Sequence, residues 1–465
     1  MTIDIKGLVA AAKPAVFWSD QADAPAPLEP LSDSLDADLC IVGGGFTGLW
    51  AAVQALEEHP GRSVVILEAE VCGFGASSRN GGFCDASLTH GFLNGLAHWP
   101  DDMPALERLG AENLEAILHT ISRHEISADA NRVDEVSFAI AEWQLADLTG
   151  VAEVYANHGV AHTMLGGDES QEMVHSPTYL GALVSHGSTA LVDPARLAWG
   201  LKRVALELGA QIHDHSRVES IDDDDGGLRV TTDHGTVRAD RVIVATNAWA
   251  EPVRQMRRYV VPIYDHVLMT EPLTTEQMTS IGWAGREGLN DSGNQFHYYR
   301  LTADNRILWG GYDANYHYGN GMGPRYENRI GSHELIAGHF FATFPQLEGL
   351  DFSHRWAGPI GTTSKFAAAF GTRHRGSLAW AAGYTGLGVG ASRFGARVAL
   401  DLVDGVSTER TELQMVRKKP MPFPPEPLRS LAIQTTRRAI ARADVTGRPG
   451  LLLRSLERFG VGFDS

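Results

Sequence analysis

One stretch, from Asp38 to Glu68, constrains this chain more than any other. Leu39-Cys40-Ile41-Val42 is a short apolar run of buried-strand type, and it passes directly into Gly43-Gly44-Gly45-Phe46-Thr47-Gly48. Leu49 to Glu58 then reads as a helix, and Val64-Val65-Ile66-Leu67 as a second buried strand ending at Glu68, twenty residues past Gly48. A glycine fingerprint alone is weak evidence. One that follows a strand, opens a helix and is answered by an acid after the next strand is specific. Gly43 permits a tight turn, Gly45 lets backbone approach a pyrophosphate, and Gly48 lets the helix lie close on the strand. The helix N-terminus offers free N–H groups to phosphates, and Glu68 accepts hydrogen bonds from a ribose. The spacing predicts a Rossmann-type dinucleotide-binding domain and does not choose between NAD and FAD.

At 465 residues the chain is too long for one ordinary core, so a second domain is expected. A 43% hydrophobic content without low-complexity tracts is that of a globular protein. The 39 Lys and Arg against 57 Asp and Glu give a net charge of -18, which argues against a nucleic-acid partner, since phosphate contacts need a basic face. Cys40, Cys72 and Cys84 are too few and too scattered for a disulfide framework or a zinc site, and no metal is expected. The apolar stretch from Gly7 to Ala12 is too short for a signal-peptide core. No run approaches the ~20 apolar residues of a membrane span, so the expected location is cytoplasmic.

Residues 1–36 read as an irregular arm, broken by Pro14, Pro25, Pro27 and Pro30, with Phe17 and Trp18 able to pin it to the body. The expected cofactor domain is discontinuous, over 37–95, 186–258 and 352–410, with a β-rich substrate domain over 96–185 and 259–351. The fold class is α/β in a two-domain α+β arrangement. Residues 101–125 carry helical spacing and are assigned to the inserted domain. Asp193 to Leu208 is a second helix with Pro194 in its first turn. A meander follows, with strands at Arg217 to Ile221, Leu228 to Thr232 and Val242 to Ala245. The acidic turn from Asp222 to Gly227 reads as a solvated hairpin tip rather than a metal site.

Two further stretches decide the cofactor. They are Gly73-Phe74-Gly75-Ala76-Ser77-Ser78-Arg79-Asn80-Gly81-Gly82 and Gly383-Tyr384-Thr385-Gly386-Leu387-Gly388-Val389. With the first motif, with Val242 to Trp249, and with Tyr298-Tyr299-Arg300 and Trp309-Gly310-Gly311, they resemble the D-amino-acid oxidase/sarcosine oxidase family of FAD-dependent oxidoreductases. The resemblance is closest to its gamma-glutamylputrescine oxidase-like branch and spans about residues 36–405. It implies cofactor contacts at Phe46, Thr47 and Ala69 beside Gly43, Gly45, Gly48 and Glu68, then at Gly75, Ala76, Ser77, Ser78, Arg79, Asn80, Gly81 and Gly82. It adds Val218 at the adenine, Ala245, Thr246, Trp249 and Gly358, and Gly386, Leu387, Gly388 and Val389 at the flavin. Ser78 and Asn80 can donate hydrogen bonds and Arg79 can neutralise charge. The late glycine turn, which precedes a helix, aims N–H groups at the flavin C2=O. Arg79-Asn80 stand where some relatives carry a linking histidine, and no cysteine lies beyond Cys84, so noncovalent FAD is expected.

The resemblance also implies the chemistry: oxidation of a C–N bond in an amine or amino acid by hydride transfer to flavin N5, giving an imine that hydrolyses. Oxygen or another acceptor takes the electrons. The implied substrates are a gamma-glutamylputrescine-like amine, an N-methyl amino acid or a D-amino acid. Candidate catalytic residues are His266, Tyr299, Arg300 and Lys365, and candidate substrate contacts are Tyr264, Tyr298, Trp309 and Tyr384. On a strand, Tyr298 and Arg300 share one face while His297 and Tyr299 share the other; which face is pocket stays open. Arg300 is a candidate fork for a substrate carboxylate, or a partner of a structural acid. The tail, 411–465, carries ten basic and five acidic residues, with a proline-rich spacer and helices at Leu428 to Arg442 and Leu451 to Phe459. It is expected to dock on the acidic body, with peripheral membrane contact the lesser alternative. Two other functional readings remain: a flavin monooxygenase, and a flavin-binding protein whose tail recruits a membrane or partner.

Overall fold

Two sheets organise the chain, and the computed structural model describes residues 3–251 and 253–458. The first sheet has a parallel core in the order Leu378–Ala382, Thr236–Val244, Ser34–Val42, Val64–Leu67 and Gln211–His213. Ser34–Val42 lies at its centre, and Leu39 to Val42 are buried, as a strand covered on both faces must be. The helix Phe46–Glu58 begins at the glycine motif and stops before His59-Pro60, because the residue ahead of a proline is pushed out of the helical region. It packs against the helices Pro194–Glu207 and Gly388–Asp404. Asp193 caps the first of these, its carboxylate accepting the Arg196 N–H at 3.0 Å. The meander comprises Val218–Asp224, Gly227–Thr232 and Thr236–Val244. Its first strand runs further than expected, and the turn tightens to Asp225-Gly226, with Gly226 at φ +82.

The second sheet runs Asn315–Tyr316, Val261–Thr270, Ile307–Gly311, His297–Leu301, Gly288–Asp291, Asn131–Ala139, Gly181–Leu191 and Phe83–Asp85, with Phe352–Thr362 paired along Val261–Thr270. Trp283, Tyr299, Trp309, Phe340 and Phe344 fill the core between this sheet and the helix Ile330–Thr343. The opposite face looks into a cleft shared with the first sheet.

Three expectations change. The helix Met103–Arg123 buries Leu106, Leu109, Leu114, Ile117 and Ile121 in the same core as Leu39 and Ile41, so it belongs to the cofactor side. Phe83–Asp85, Gly181–Leu191 and Phe352–Thr362 are strands of the second sheet, so the domain boundaries expected near 95, 186 and 352 shift. Apolar spacing shows which face of an element is buried, not which partner buries it. The arm is not wholly irregular: Ile5–Ala11 is a helix, with the Asp4 carboxylate accepting the Gly7 N–H. In the tail, Leu428–Thr446 is longer than expected, and Leu451–Arg458 is followed by Phe459, which lies outside the described residues. Among the described residues no helix is long and apolar enough to cross a membrane.

Candidate active site

The cleft encloses about 1160 Å³ and takes its walls from both sheets. At one end it is made of backbone. Gly43 has φ +107, and a Cβ there would meet the Ala245 carbonyl oxygen at 2.9 Å. A Cβ on Gly48 would stand 1.9 Å from the Gly43 carbonyl oxygen, so helix and turn touch backbone to backbone. Gly45 instead faces the cleft, with the Ser77 hydroxyl 3.0 Å from its ideal Cβ position. The Ser77 hydroxyl accepts the Phe46 N–H at 2.8 Å. The Glu68 carboxylate accepts the N–H groups of Gly44 at 2.7 Å and Glu70 at 2.9 Å, and burial raises its pKa. At the late glycine turn, Gly386 has φ +96, and the helix Gly388–Asp404 starts without a side-chain cap. The helix Phe46–Glu58 has none from its N-cap residue either. The first turns of both helices line the cleft, with the Phe46 N–H taken by Ser77.

Most residues expected to touch the cofactor line this cleft: Gly43, Gly45, Phe46, Thr47, Glu68, Ala69, Gly75, Ala76, Ser77, Arg79, Asn80, Gly81, Val218, Ala245, Thr246, Trp249, Gly358 and Gly386 to Val389. Gly48, Ser78 and Gly82 do not. Gly48 and Gly82 serve packing, a Cβ on Gly82 meeting the Val192 carbonyl oxygen at 2.1 Å. Ser78 lines a smaller cavity behind the loop, beside Cys72 and Trp199. Arg79 already has its charge balanced: Nη1 lies 2.7 Å from Glu327 Oε2 and donates to the Ala357 carbonyl at 3.1 Å.

The second sheet contributes side chains instead of backbone. Asp265, Tyr298, Asn290, Glu135 and Asp85 face the cleft from five different strands. The Tyr298 hydroxyl donates to Asp265 Oδ2, and the His266 N–H donates to Oδ1 at 2.9 Å. Burial pushes the Asp265 carboxyl up to about 6 and raises the Tyr298 phenol as well. Asn290 donates to Glu135 Oε1 at 2.9 Å, and the Thr189 hydroxyl lies 2.6 Å from Asp85 Oδ1 and 3.1 Å from Glu135 Oε2. Burial and the Asp85 charge push Glu135 well up, and burial raises Asp85 as well.

None of the four candidate catalytic residues lines this cleft. Strand alternation turns Tyr299 away from Tyr298 and into the aromatic core, where its hydroxyl lies 2.7 Å from that of Tyr179. Trp309, expected as a substrate contact, is buried in the same core. Alternation also turns His266 away from Asp265 and against His333, and burial pushes its imidazole down to about 3. Arg300 shares the Tyr298 face but is roofed by Gly82 and the arm: Nη1 donates to the Val192 carbonyl at 2.7 Å, and its guanidinium sits 5.6 Å from the Trp18 ring. The Trp18 indole N–H donates to the Asn80 carbonyl, which ties the arm to the loop. Lys365 Nζ lies over the Trp99 ring at 5.3 Å, while its neighbours Ser364 and Phe366 line the cleft. Tyr298, Tyr264 and Tyr384 do line it. Tyr264 accepts the Gly323 N–H at 2.9 Å, and Tyr384 accepts the Thr47 hydroxyl at 2.9 Å.

Sequence reading missed Asp265, Asp85, Glu135 and His90. His90 lines the cleft near Gly386, and its Nδ1 has no partner among the described residues. Burial pushes its imidazole down to about 4, so it is neutral. Asp265 was findable as the alternate neighbour of His266; no local pattern marks Asp85 or His90. The tail also reaches the cleft. Its proline-rich spacer and the helix Leu428–Thr446 supply Pro422, Phe423, Ile433, Arg437 and Ile440 to the lining. It docks on the body through acids and bases alike, Arg429 donating to Asn320 and Arg437 to Asn315. Glu426 accepts the Gly319 N–H at 2.9 Å, and Asp444 accepts the N–H groups of Asn294 at 3.0 Å and Gln295 at 2.9 Å. Opposite net charges attract without fixing a register, whereas hydrogen bonds to backbone do fix one.

Helix N-termini at the cleft, glycines with no room for a side chain and a buried acid after the second strand suit an adenine dinucleotide. Fold and cleft are those of a dinucleotide-dependent oxidoreductase. The pattern of the FAD dependent oxidoreductase family matches residues 38–402, and the chain belongs to that family. It is 31% identical over 399 residues to the gamma-glutamylputrescine oxidoreductase of Escherichia coli K12, covering 84% of this chain and 88% of that one. It is 28% identical over 402 residues to the probable oxidoreductase OrdL of Haemophilus influenzae, with the same 84% and 88% coverage. The crystal structure of glycine oxidase from Geobacillus kaustophilus superimposes with a TM-score of 0.66 at 21% identity, covering 81% of this chain and 96% of that one.

Proposed function

We propose that the chain oxidises the C–N bond of a cationic amine of the gamma-glutamylated diamine kind, with noncovalent FAD in the glycine-lined end of the cleft. The observation that carries this reading is the meeting, in one cleft, of a backbone cradle for a dinucleotide and a floor of hydrogen-bonded carboxyls. The name of the Escherichia coli relative supports the same substrate class. Bound FAD supplies the two-electron acceptor for hydride from the carbon next to nitrogen.

The lining supports roles for the protein's own groups. Gly43, Gly45, Phe46 and Thr47 would hold the pyrophosphate, Glu68 the ribose, Val218 the adenine, and Gly386 to Val389 the flavin. Asp265, with its carboxyl near 6, is ionised at neutral pH yet basic enough to take a proton from a bound ammonium, which frees the nitrogen lone pair. Tyr298 steadies that carboxylate by its hydrogen bond. Asp85 and Glu135 add acidic groups to the same floor, which suits a cation better than an anion. The resulting imine leaves to hydrolyse, and oxygen or another carrier reoxidises the protein.

Anaerobic mixing of the yellow holoprotein with a panel of amines tests this. Cationic amines should bleach the flavin within seconds, with NADPH inert. Bleaching by NADPH alone would favour the monooxygenase reading, and bleaching by nothing in either set would favour the binding-protein reading.

A further inference from the structure

One wall of the cleft comes from outside the stretch shared with the family. On the helix Leu428–Thr446, Ile433, Thr436, Arg437 and Ile440 fall on one face at helical spacing, and that face lines the cleft. Arg437 is its cation. Nη1 donates to Asn315 Oδ1 at 2.8 Å, and Nη2 stands 3.7 Å from Asp313 Oδ1, a long ion pair. Asp313 is also engaged by the Ser332 hydroxyl. The side chain keeps 33% of its surface exposed, so it is oriented yet only partly covered. The other arginines of the cleft are each paired at close range: Arg79 with Glu327, Arg132 with Glu115, and Arg217 with Glu70. Arg300, the residue that sequence reading favoured as a carboxylate fork, lies under Gly82 and Trp18.

We propose that Arg437 reads a carboxylate on the non-reacting end of the substrate, so that the chain selects amines that also carry an acid group over bare or neutrally acylated diamines. This deepens the amine-oxidation reading and rests on it. The acidic floor accounts for binding the ammonium, and a cation alone gives no reason for an oriented arginine on the facing wall. A guanidinium with one short hydrogen bond to an amide oxygen and one long ion pair keeps N–H donors for a ligand, and its planar fork matches a carboxylate, which an acetyl cap cannot imitate. The apolar neighbours Ile433 and Ile440 suit the methylene stretch between the two charged ends.

Arg437→Gln, Arg437→Lys and a control, Arg438→Gln, test the proposal in the full-length holoprotein. Arg438 is exposed on the same helix and lines no part of the cleft. Two probes are compared by anaerobic flavin reduction: gamma-glutamylputrescine, which bears the carboxylate, and N-acetylputrescine, which does not. Arg437→Gln should weaken the apparent affinity for gamma-glutamylputrescine by about tenfold to a hundredfold, the usual effect of losing a charge-assisted hydrogen bond. The limiting reduction rate and the response to N-acetylputrescine should stay within about twofold. Arg437→Lys should recover part of the loss, and Arg438→Gln should match wild type. Equal losses on both probes, an equal loss in Arg438→Gln, or no loss on gamma-glutamylputrescine each overturn the assignment. Flavin content per chain reports folding, and if Arg437→Gln loses its flavin the Lys variant carries the comparison. Failure of both amines to reduce wild type overturns the amine reading itself, whereas reduction that is indifferent to Arg437 overturns only this proposal.

Discussion

The two ends of the cleft are built from different materials. The end proposed for the cofactor is backbone: glycine turns, two helix N-termini and one buried carboxylate. The end proposed for the substrate is side chain: Asp265, Tyr298, Asn290, Glu135 and Asp85 standing up from a sheet. A site made of backbone restricts residue type at fixed spacings, because only glycine fits, so it leaves a mark in the sequence. A site made of side chains depends on strand register and on what covers each face, and neither is written locally.

If that contrast is right, the largest effect belongs to the backbone end. Gly48→Ala places a methyl 1.9 Å from the Gly43 carbonyl oxygen, which forces the helix Phe46–Glu58 away from its strand. The cost should exceed about 3 kcal/mol, seen as colourless protein with a lowered Tm and no recovery on adding FAD. A yellow, stable Gly48→Ala protein would break the comparison outright.

At the side-chain end, Asp265→Asn should leave flavin content unchanged while amine-dependent reduction falls by about a hundredfold to a thousandfold. The sign of the pH dependence follows from burial. The carboxyl is held above its usual range, at about 6, so it is protonated and inactive below that pH and ionised above it. In wild type kcat/KM should therefore rise through pH 6, and in Asp265→Asn that limb should vanish. A wild-type profile flat between pH 5 and 7 would remove Asp265 from the proton-transfer role.

The smallest effect sharpens the register argument. Tyr299→Phe deletes the hydroxyl beside Tyr179 in the aromatic core, so stability should drop by about 1 kcal/mol on urea unfolding. Amine oxidation should stay within about twofold of wild type. A large loss of activity would mean that Tyr299 acts on the cleft despite facing away from it.

These cases also show how far the sequence could be read. The strand, glycine turn, helix, strand and acid from Asp38 to Glu68 were legible because each constraint is local. The pairing of Tyr298 with Arg300 on one face was legible for the same reason. What covers that face was not: Gly82 and Trp18 reach Arg300 from residues far away in the chain. The helix Met103–Arg123 shows the same limit at the scale of domains, its apolar stripe being evident and its partner, Gly388–Asp404, not. The tail's basic count suggested docking, yet its anchors include Glu426 and Asp444 beside Arg429 and Arg437, and the partners of all four have no signature in sequence.

The helix that walls the cleft has a consequence for how such proteins diverge. Its residues lie past 402, clear of the region that recognisably unites the family. Substitutions there would reshape the chamber without touching the glycines that line its other end. On the assignment of Arg437, a change of diet needs only an edited appendage, with the engine room left as it is.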